Sequence, residues 1–394
     1  MGIVIAVGIM SGTSADGVDA VLIELESLSR RHTPRVLAHA YRPFPAAIRE
    51  TLLRTAELGT REIAELHFSL AELYAKTARS LRGFRRADVC GMHGQTIWHA
   101  PPPARPPCTL QIGSSALLAQ RLGLPVAGDL RGADLALGGQ GAPIVPFAHW
   151  FFTPASKAPR LVVNFGGICN LTYVARRLED VRAYDVGPGM MLSDAFAHAA
   201  TGGRLAYDRD GAVSRAGRVI DRIVDDIASH PFVRRRPPKS TGREDFGRHF
   251  FEPLFRRYRQ HPKADVARSL LAGTARILAL TVERDPRIDP DLREVLLSGG
   301  GAKNPVLVDE VRRRFPRAHV ELAGSGVFAP QHHEPAAMAL IAARTLARLP
   351  SSLAAVTGAS RPAILGHVHW PTSVHAQTTK RTGPRKTARP RSRG

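Results

Sequence analysis

The chain has 394 residues, enough for two domains with cores of their own, and its 44% hydrophobic content is that of an ordinary globular protein. No run of about 18 apolar residues is present, and the scattered Cys90, Cys108 and Cys169 form no CxxC pair, so the composition excludes a membrane-spanning helix, a disulfide scaffold and a thiolate metal centre. The formal charge of +21 is partly terminal: residues 378–394 carry seven Lys or Arg and no acid, the rest keeps +14, and the remaining Arg is scattered without interleaved aromatics, which predicts a solvated basic surface and no nucleic-acid partner beyond the tail.

In chain order, the apolar run 3–9 and the run 18–25 predict two strands of a β-hairpin. Residues 1–9 lack a basic start and predict no secretory leader, and free thiols predict a cytoplasmic setting. The hairpin tip is Ser11-Gly12-Thr13-Ser14-Ala15-Asp16-Gly17. Small residues let backbone N–H groups approach an anion, and hydroxyls add donors. A carboxylate beside a phosphate needs a divalent cation between them, so Asp16 points to Mg²⁺ and a nucleotide. An ordinary polar hairpin turn would use the same residues. A strand is expected over 36–41, and helical spacing over 46–82. A short strand at 87–92 opens into His93-Gly94-Gln95-Thr96-Ile97-Trp98-His99. A proline loop, a strand at 109–112 and a helix over 114–122 ended by Gly123 follow, then Gly128-Asp129-Leu130-Arg131. The glycine-rich passage 137–143 closes this half.

The second half begins with a strand at 161–168 running into a glycine turn and returning at 172–175. It places Asn164, Gly166, Gly167 and Asn170 as the first hairpin places Gly12, Thr13, Ser14 and Asp16. Two such turns suggest duplicated halves closing on one nucleotide. A strand over 181–185 ends at Asp185, before Gly187-Pro188-Gly189. Helices are expected over 190–201, 264–283, 304–315 and 336–349. A loop with an N-cap at Ser240 or Thr241 lies at 237–244. A strand at 294–297 ends in Gly299-Gly300-Gly301, and residues 371–394 read as a disordered basic tail. Mixed strands and helices make the class α/β.

Assembled, these residues resemble the anhydro-N-acetylmuramic acid kinase family of the actin/Hsp70/sugar-kinase superfamily. The resemblance rests on Met10-Ser11-Gly12-Thr13-Ser14 with Asp16-Gly17-Val18-Asp19, and on His93-Gly94-Gln95-Thr96-Ile97. It continues through Asp129, Arg131 and Asp134, Gly138-Gly139-Gln140-Gly141-Ala142-Pro143, Asn164-Phe165-Gly166-Gly167-Ile168 and Tyr184-Asp185. Lys239-Ser240-Thr241-Gly242-Arg243-Glu244, Gly299-Gly300-Gly301-Ala302 with Asn304-Pro305, and Val356-Thr357-Gly358-Ala359 complete it.

The resemblance implies an actin-like, ribonuclease H-like two-domain ATPase fold with a central cleft. Domain I would be 1–130, completed by a helix within 335–370, and domain II would be 131–334. It implies an ATP-dependent kinase that opens the 1,6-anhydro ring of anhydro-N-acetylmuramic acid and phosphorylates O6, in peptidoglycan recycling. A catalytically impaired or retargeted ATP-binding relative is the alternative. The implied enzyme is a cytoplasmic homodimer using Mg²⁺ and ATP. Asp185 matches the catalytic aspartate. Gly12, Thr13, Ser14, Ala15, Asp16, Gly17, Val18, Asp19, Asn164, Gly166, Gly167, Asn170, Gly299, Gly300, Gly301 and Asn304 would hold the nucleotide, with Asp16 acting through the metal. His93, Gln95, Asp129, Arg131 and Glu334 would line the sugar site. Two positions depart from the family pattern: Met190 stands in place of Asn, and Ala337 is read in the place of a Glu.

Overall fold

The computed structural model describes residues 2–12 and 14–372; Met1, Thr13 and the tail from residue 373 onward lie outside the described residues. The strands are β1 (Val4–Met10), β2 (Gly17–Leu25), β3 (Arg35–Pro43), β4 (Val89–Met92), the small hairpin β5 (Gln95–Ala100) and β6 (Cys108–Ile112), β7 (Val126–Gly128), β8 (Arg160–Phe165), β9 (Ile168–Val174), β10 (Arg182–Pro188), β11 (Glu294–Ser298), β12 (His319–Leu322) and β13 (His367–His369). The helices that position the site are α1 (Thr60–Arg79), α2 (Ser115–Leu122), α3 (Val145–Phe152), α4 (Met191–Ala200), α5 (Lys263–Arg284), α6 (Pro305–Arg314) and α7 (His333–Leu346).

The first sheet runs β3-β2-β1-β4-β7-β13 and the second β10-β9-β8-β11-β12. In each, the first three strands form an antiparallel meander, and two strands then add in parallel to the first one. Parallel neighbours cannot be joined by tight turns and need crossovers. Here α1, α2, α5 and α6 supply them. The repeated order is that of the actin-like, duplicated ribonuclease H-like fold.

Helix α7 brings the late part of the chain back onto the first sheet. Glycine at two strand positions allows this. A Cβ on Gly8 would lie 1.7 Å from the Pro335 carbonyl oxygen, and one on Gly91 would lie 2.0 Å from that of Met338. The backbone of α7 therefore rests directly on β1 and β4. Its Ala336, Ala337, Ala339 and Ala342 are fully buried. One apolar core joins α7, α3, α5 and the second sheet, and another lies between the first sheet, α1 and α2.

Several boundaries differ from the sequence expectation. The 46–82 stretch is two helices, Ala46–Leu53 and α1, joined by a short 3-10 turn. Strand β10 does not end at Asp185 but continues to Pro188, with a bulge between Asp185 and Gly187. The expected cap at Ser240 or Thr241 is instead Gly242, while the Thr241 hydroxyl donates to Asp245 at 2.7 Å. Helix α7 starts at His333, three residues earlier than expected. Ser114 and Asn304 cap α2 and α6 with their side chains, as helix starts require.

Candidate active site

A cavity of about 600 Å³ lies between the two sheets. Met10, His93, Arg131, Glu334 and Met338 line it from the first-sheet side, and Asn164, Asn170, Thr172, Tyr184, Asp185 and Lys239 from the second.

Asp185 is half-buried in the wall of this cavity. Its backbone N–H donates to the Lys239 carbonyl at 3.2 Å, and its Oδ2 accepts from the Thr241 N–H at 3.0 Å. Among the described residues no hydrogen bond reaches Oδ1. Burial pushes the carboxyl up to about 6, against the pull of the Thr241 N–H and of Lys239. The side chain is thus fixed at one oxygen and basic at the other. Burial and the neighbouring Arg284 bring the Lys239 ammonium down to about 8. Its Nζ sits 4.6 Å from the Phe232 ring centre.

Across the cavity, Arg131 donates from Nε to His93 Nε2 at 3.0 Å and from one terminal nitrogen to the Gly141 carbonyl at 2.9 Å. It forms no ion pair among the described residues; Glu334 is the carboxylate that supports its charge. His93 contacts the Gly94 carbonyl through Nδ1 at 2.7 Å. A carbonyl can only accept, so Nδ1 carries the proton and Nε2 receives the Arg131 bond. Burial and Arg131 push His93 down to about 3, so the ring is neutral. Both its nitrogens are spent on protein partners. His93 therefore aims Arg131 rather than offering a polar atom to a ligand.

Of the residues named for the nucleotide, Asn164 and Asn170 line the cavity; the glycines of the turns are not among its lining, and not every named side chain is free. Between β1 and β2, Gly12 and Ser14 are accessible and Asp16 is exposed, 3.8 Å from Arg49. Ala15 takes a left-handed φ of +53° and is buried. Val18 faces the core, and Asp19 is held by His39 at 2.7 Å. Thr13 lies outside the described residues. Between β8 and β9, Gly167 is exposed, and a Cβ there would meet nothing within 4 Å. Gly299 has φ +82° and packs so closely on Asn164 and Phe165 that a Cβ would lie 2.3 Å from Asn164 Oδ1. The third glycine run thus adjoins the second turn. Asn304 is different: its Nδ2 donates to the Asp208 carbonyl and carboxylate, and its Oδ1 accepts from Val306 and Leu307. That side chain caps α6 and has nothing left for a nucleotide.

Gln95 and Asp129 do not line the cavity. The Gln95 Nε2 donates to the Gly12 carbonyl at 3.1 Å, and its Oε1 is buried without a partner. Gln95 braces the first turn. Asp129 is exposed and accepts the Gly132 N–H at 3.1 Å. Asp134 is fully buried, accepting from the Gly141 N–H and the Thr357 hydroxyl; it joins no ion pair among the described residues. Ala337, read in the place of a family Glu, is 0% exposed in the core, and the carboxylate that this helix places in the cavity lining is Glu334. Met190 is buried, with its N–H on the Gly166 carbonyl at 2.8 Å and its thioether against Gly301.

The sequence profile of the anhydro-N-acetylmuramic acid kinase family matches residues 4–371. The chain is also 37% identical to the anhydro-N-acetylmuramic acid kinase of Parasynechococcus marenigrum (strain WH8102), over 92% of this chain and 98% of that protein. This chain belongs to the anhydro-N-acetylmuramic acid kinase family. It is a sugar kinase, a phosphotransferase that uses ATP. Solved structures similar to it include component A of the (R)-2-hydroxyglutaryl-CoA dehydratase of Acidaminococcus fermentans (11% identity, 87% of this chain, 99% of that chain, TM-score 0.42). The activator of the 2-hydroxyisocaproyl-CoA dehydratase from Clostridium difficile, with bound ADPNP, is another (13% identity, 86% of this chain, 94% of that chain, TM-score 0.43).

For a kinase of this family the sequence reading missed His149 and Thr172, which line the same cavity. His149 sits in an almost wholly apolar helix, α3, where no periodic signal marks it. Among the described residues no helix is long and apolar enough to cross a membrane.

Proposed function

We propose that this enzyme opens the 1,6-anhydro ring of anhydro-N-acetylmuramic acid and transfers the ATP γ-phosphoryl group to O6, with Asp185 as general base. The observation that carries the role is the carboxylate itself: anchored through Oδ2, open at Oδ1, and raised to about 6 inside the cavity. Oδ1 takes a proton from water as the water oxygen bonds to C1. The C1–O6 bond breaks, and its electrons stay on O6. O6 bonds to the γ-phosphorus as the bond to ADP breaks. Sugar, water and ATP give N-acetylmuramic acid 6-phosphate, ADP and one proton.

Phosphoryl transfer is chiefly positioning and charge neutralisation. The turns around Gly12 and Gly166–Gly167 would offer backbone N–H groups to the phosphates, and Lys239 adds a cation beside the base. Arg131, oriented by His93 and unpaired, suits the lactyl carboxylate. No group of three His, Cys, Asp or Glu that could hold a metal occurs among the described residues. A nucleotide-borne Mg²⁺ needs only one or two protein oxygens. Asp16, exposed at the first turn, would supply one such oxygen. The ion would neutralise charge on the transferred group. The cytoplasmic homodimer belongs to this reading through the family.

Incubation with Mg-ATP and anhydro-N-acetylmuramic acid should yield the 6-phosphate and ADP in equal amounts. ATP hydrolysis with the sugar unchanged would overturn the reading. The kcat/KM profile should fall below pH about 6, where Asp185 is protonated, and above pH about 8, where Lys239 loses its charge. Lys239→Arg should remove the alkaline limb and leave the acid limb in place.

A further inference from the structure

One buried polar atom in the lining of the cavity has no partner among the described residues and no part in the mechanism above. His149 is 8% exposed and lines the cavity wall. Its Nδ1 lies 3.0 Å from the Thr172 hydroxyl, and its Nε2 is buried with no partner. Thr172 is itself 4% exposed, and His149 is the one hydrogen-bond partner its hydroxyl has among the described residues. A buried hydroxyl proton needs an acceptor. The O–H therefore donates to Nδ1, which leaves the proton of the ring on Nε2. Burial and His333, 5.9 Å away between ring centres, push the imidazole down to about 3 and keep it neutral. His149, a side chain of the cavity lining, thus holds an uncharged, unsatisfied N–H donor. Leaving such a donor unpaired is costly. An amide carbonyl is the strongest neutral acceptor on an N-acetylated sugar, and the carboxylate of the lactyl group has Arg131.

We infer that His149 reads the acetamido group of the substrate, donating from Nε2 to the amide carbonyl, with Thr172 fixing the tautomer. This rests on the substrate reading given above and makes His149 a specificity determinant of that site.

The test compares kcat/KM for anhydro-N-acetylmuramic acid and for its counterpart with a hydroxyl in place of the acetamido group. The wild type should prefer the acetamido sugar. His149→Phe should lose ~10–100-fold on that sugar and change little on the hydroxyl counterpart, the range expected for a donor at a buried site. His149→Gln, which keeps an N–H donor, should recover part of the loss. Equal losses on both sugars in His149→Phe, or no preference in the wild type, would overturn the inference while leaving the kinase reading intact. A wild type that phosphorylates neither sugar would overturn the substrate reading and this inference with it. If His149→Phe fails to fold, Thr172→Val provides the same comparison. Freed of its tautomer lock, it should lose preference for the acetamido sugar selectively, and a uniform effect would again contradict the assignment.

Discussion

The two glycine turns occupy equivalent places in equivalent sheets, but they are held by different means. The second turn is fixed by main chain. Its Gly166 carbonyl accepts from the Met190 N–H at 2.8 Å, and its Gly167 carbonyl from Gly189 at 2.9 Å and Met191 at 3.2 Å. The first turn is longer and mixes the two: main-chain bonds run from the Ala15 N–H to the Gly12 carbonyl and from the Phe44 N–H to the Asp16 carbonyl, each at 3.1 Å, and side chains from elsewhere add to both carbonyls, Gln95 on Gly12 and the Tyr41 hydroxyl on Asp16 at 3.1 Å. The difference teaches which turn can adjust. A turn pinned by backbone donors is insensitive to most substitutions but intolerant of any that shift its anchor. A turn that adds single side-chain braces to its main-chain bonds can be loosened one brace at a time.

The largest effect should follow from Gly189→Ala. A Cβ there would stand 2.3 Å from the Gly166 carbonyl oxygen and 2.9 Å from the Cys169 nitrogen, both backbone. Overpacking of this kind costs about 1–3 kcal/mol, and a turn displaced by even 1 Å lowers turnover about 10²-fold. Thermal melting and kcat measure the two; a variant with wild-type values would break the account of the second turn. Next, Gln95→Leu removes one hydrogen bond to the first turn, worth about 0.5–1.5 kcal/mol, and also deletes an orphaned buried oxygen. ATP affinity should fall by up to about 10-fold with little change in melting temperature. The smallest effect belongs to Asp16→Asn. Its side chain is 64% exposed, so the charge is well screened. The Mg²⁺ concentration for half-maximal ATP binding should rise about 2–5-fold, as an exposed charge allows. An unchanged requirement would remove Asp16 from the metal.

Much of this arrangement is legible in the sequence, because hairpins and caps are local. Asp-Gly between β-branched runs gives β1 and β2, and Asn304 before Pro305 gives a capped helix. What depends on tertiary contact is not legible. Pro335 reads as a helix breaker, yet proline is tolerated in the first turn, so α7 begins at His333 and carries Glu334 into the cavity. Strand β10 continues through Gly187 because a bulge absorbs the irregular backbone beside Asp185. Asn304 and Gln95 show the converse: residues that fit a ligand-binding pattern prove to brace the cradle. His149 belongs to an apolar helix with no hydrophobic contrast, so only its position against Thr172 reveals it.

The central claim is that Asp185 is the base and not a structural anchor. Asp185→Asn keeps an oxygen for the Thr241 N–H and removes the charge. Turnover with anhydro-N-acetylmuramic acid and the dissociation constant for Mg-ATP should be measured side by side. The account predicts a loss of at least ~10²-fold in turnover with ATP binding unchanged. Near-normal turnover, or a loss fully explained by weakened ATP binding, would contradict it.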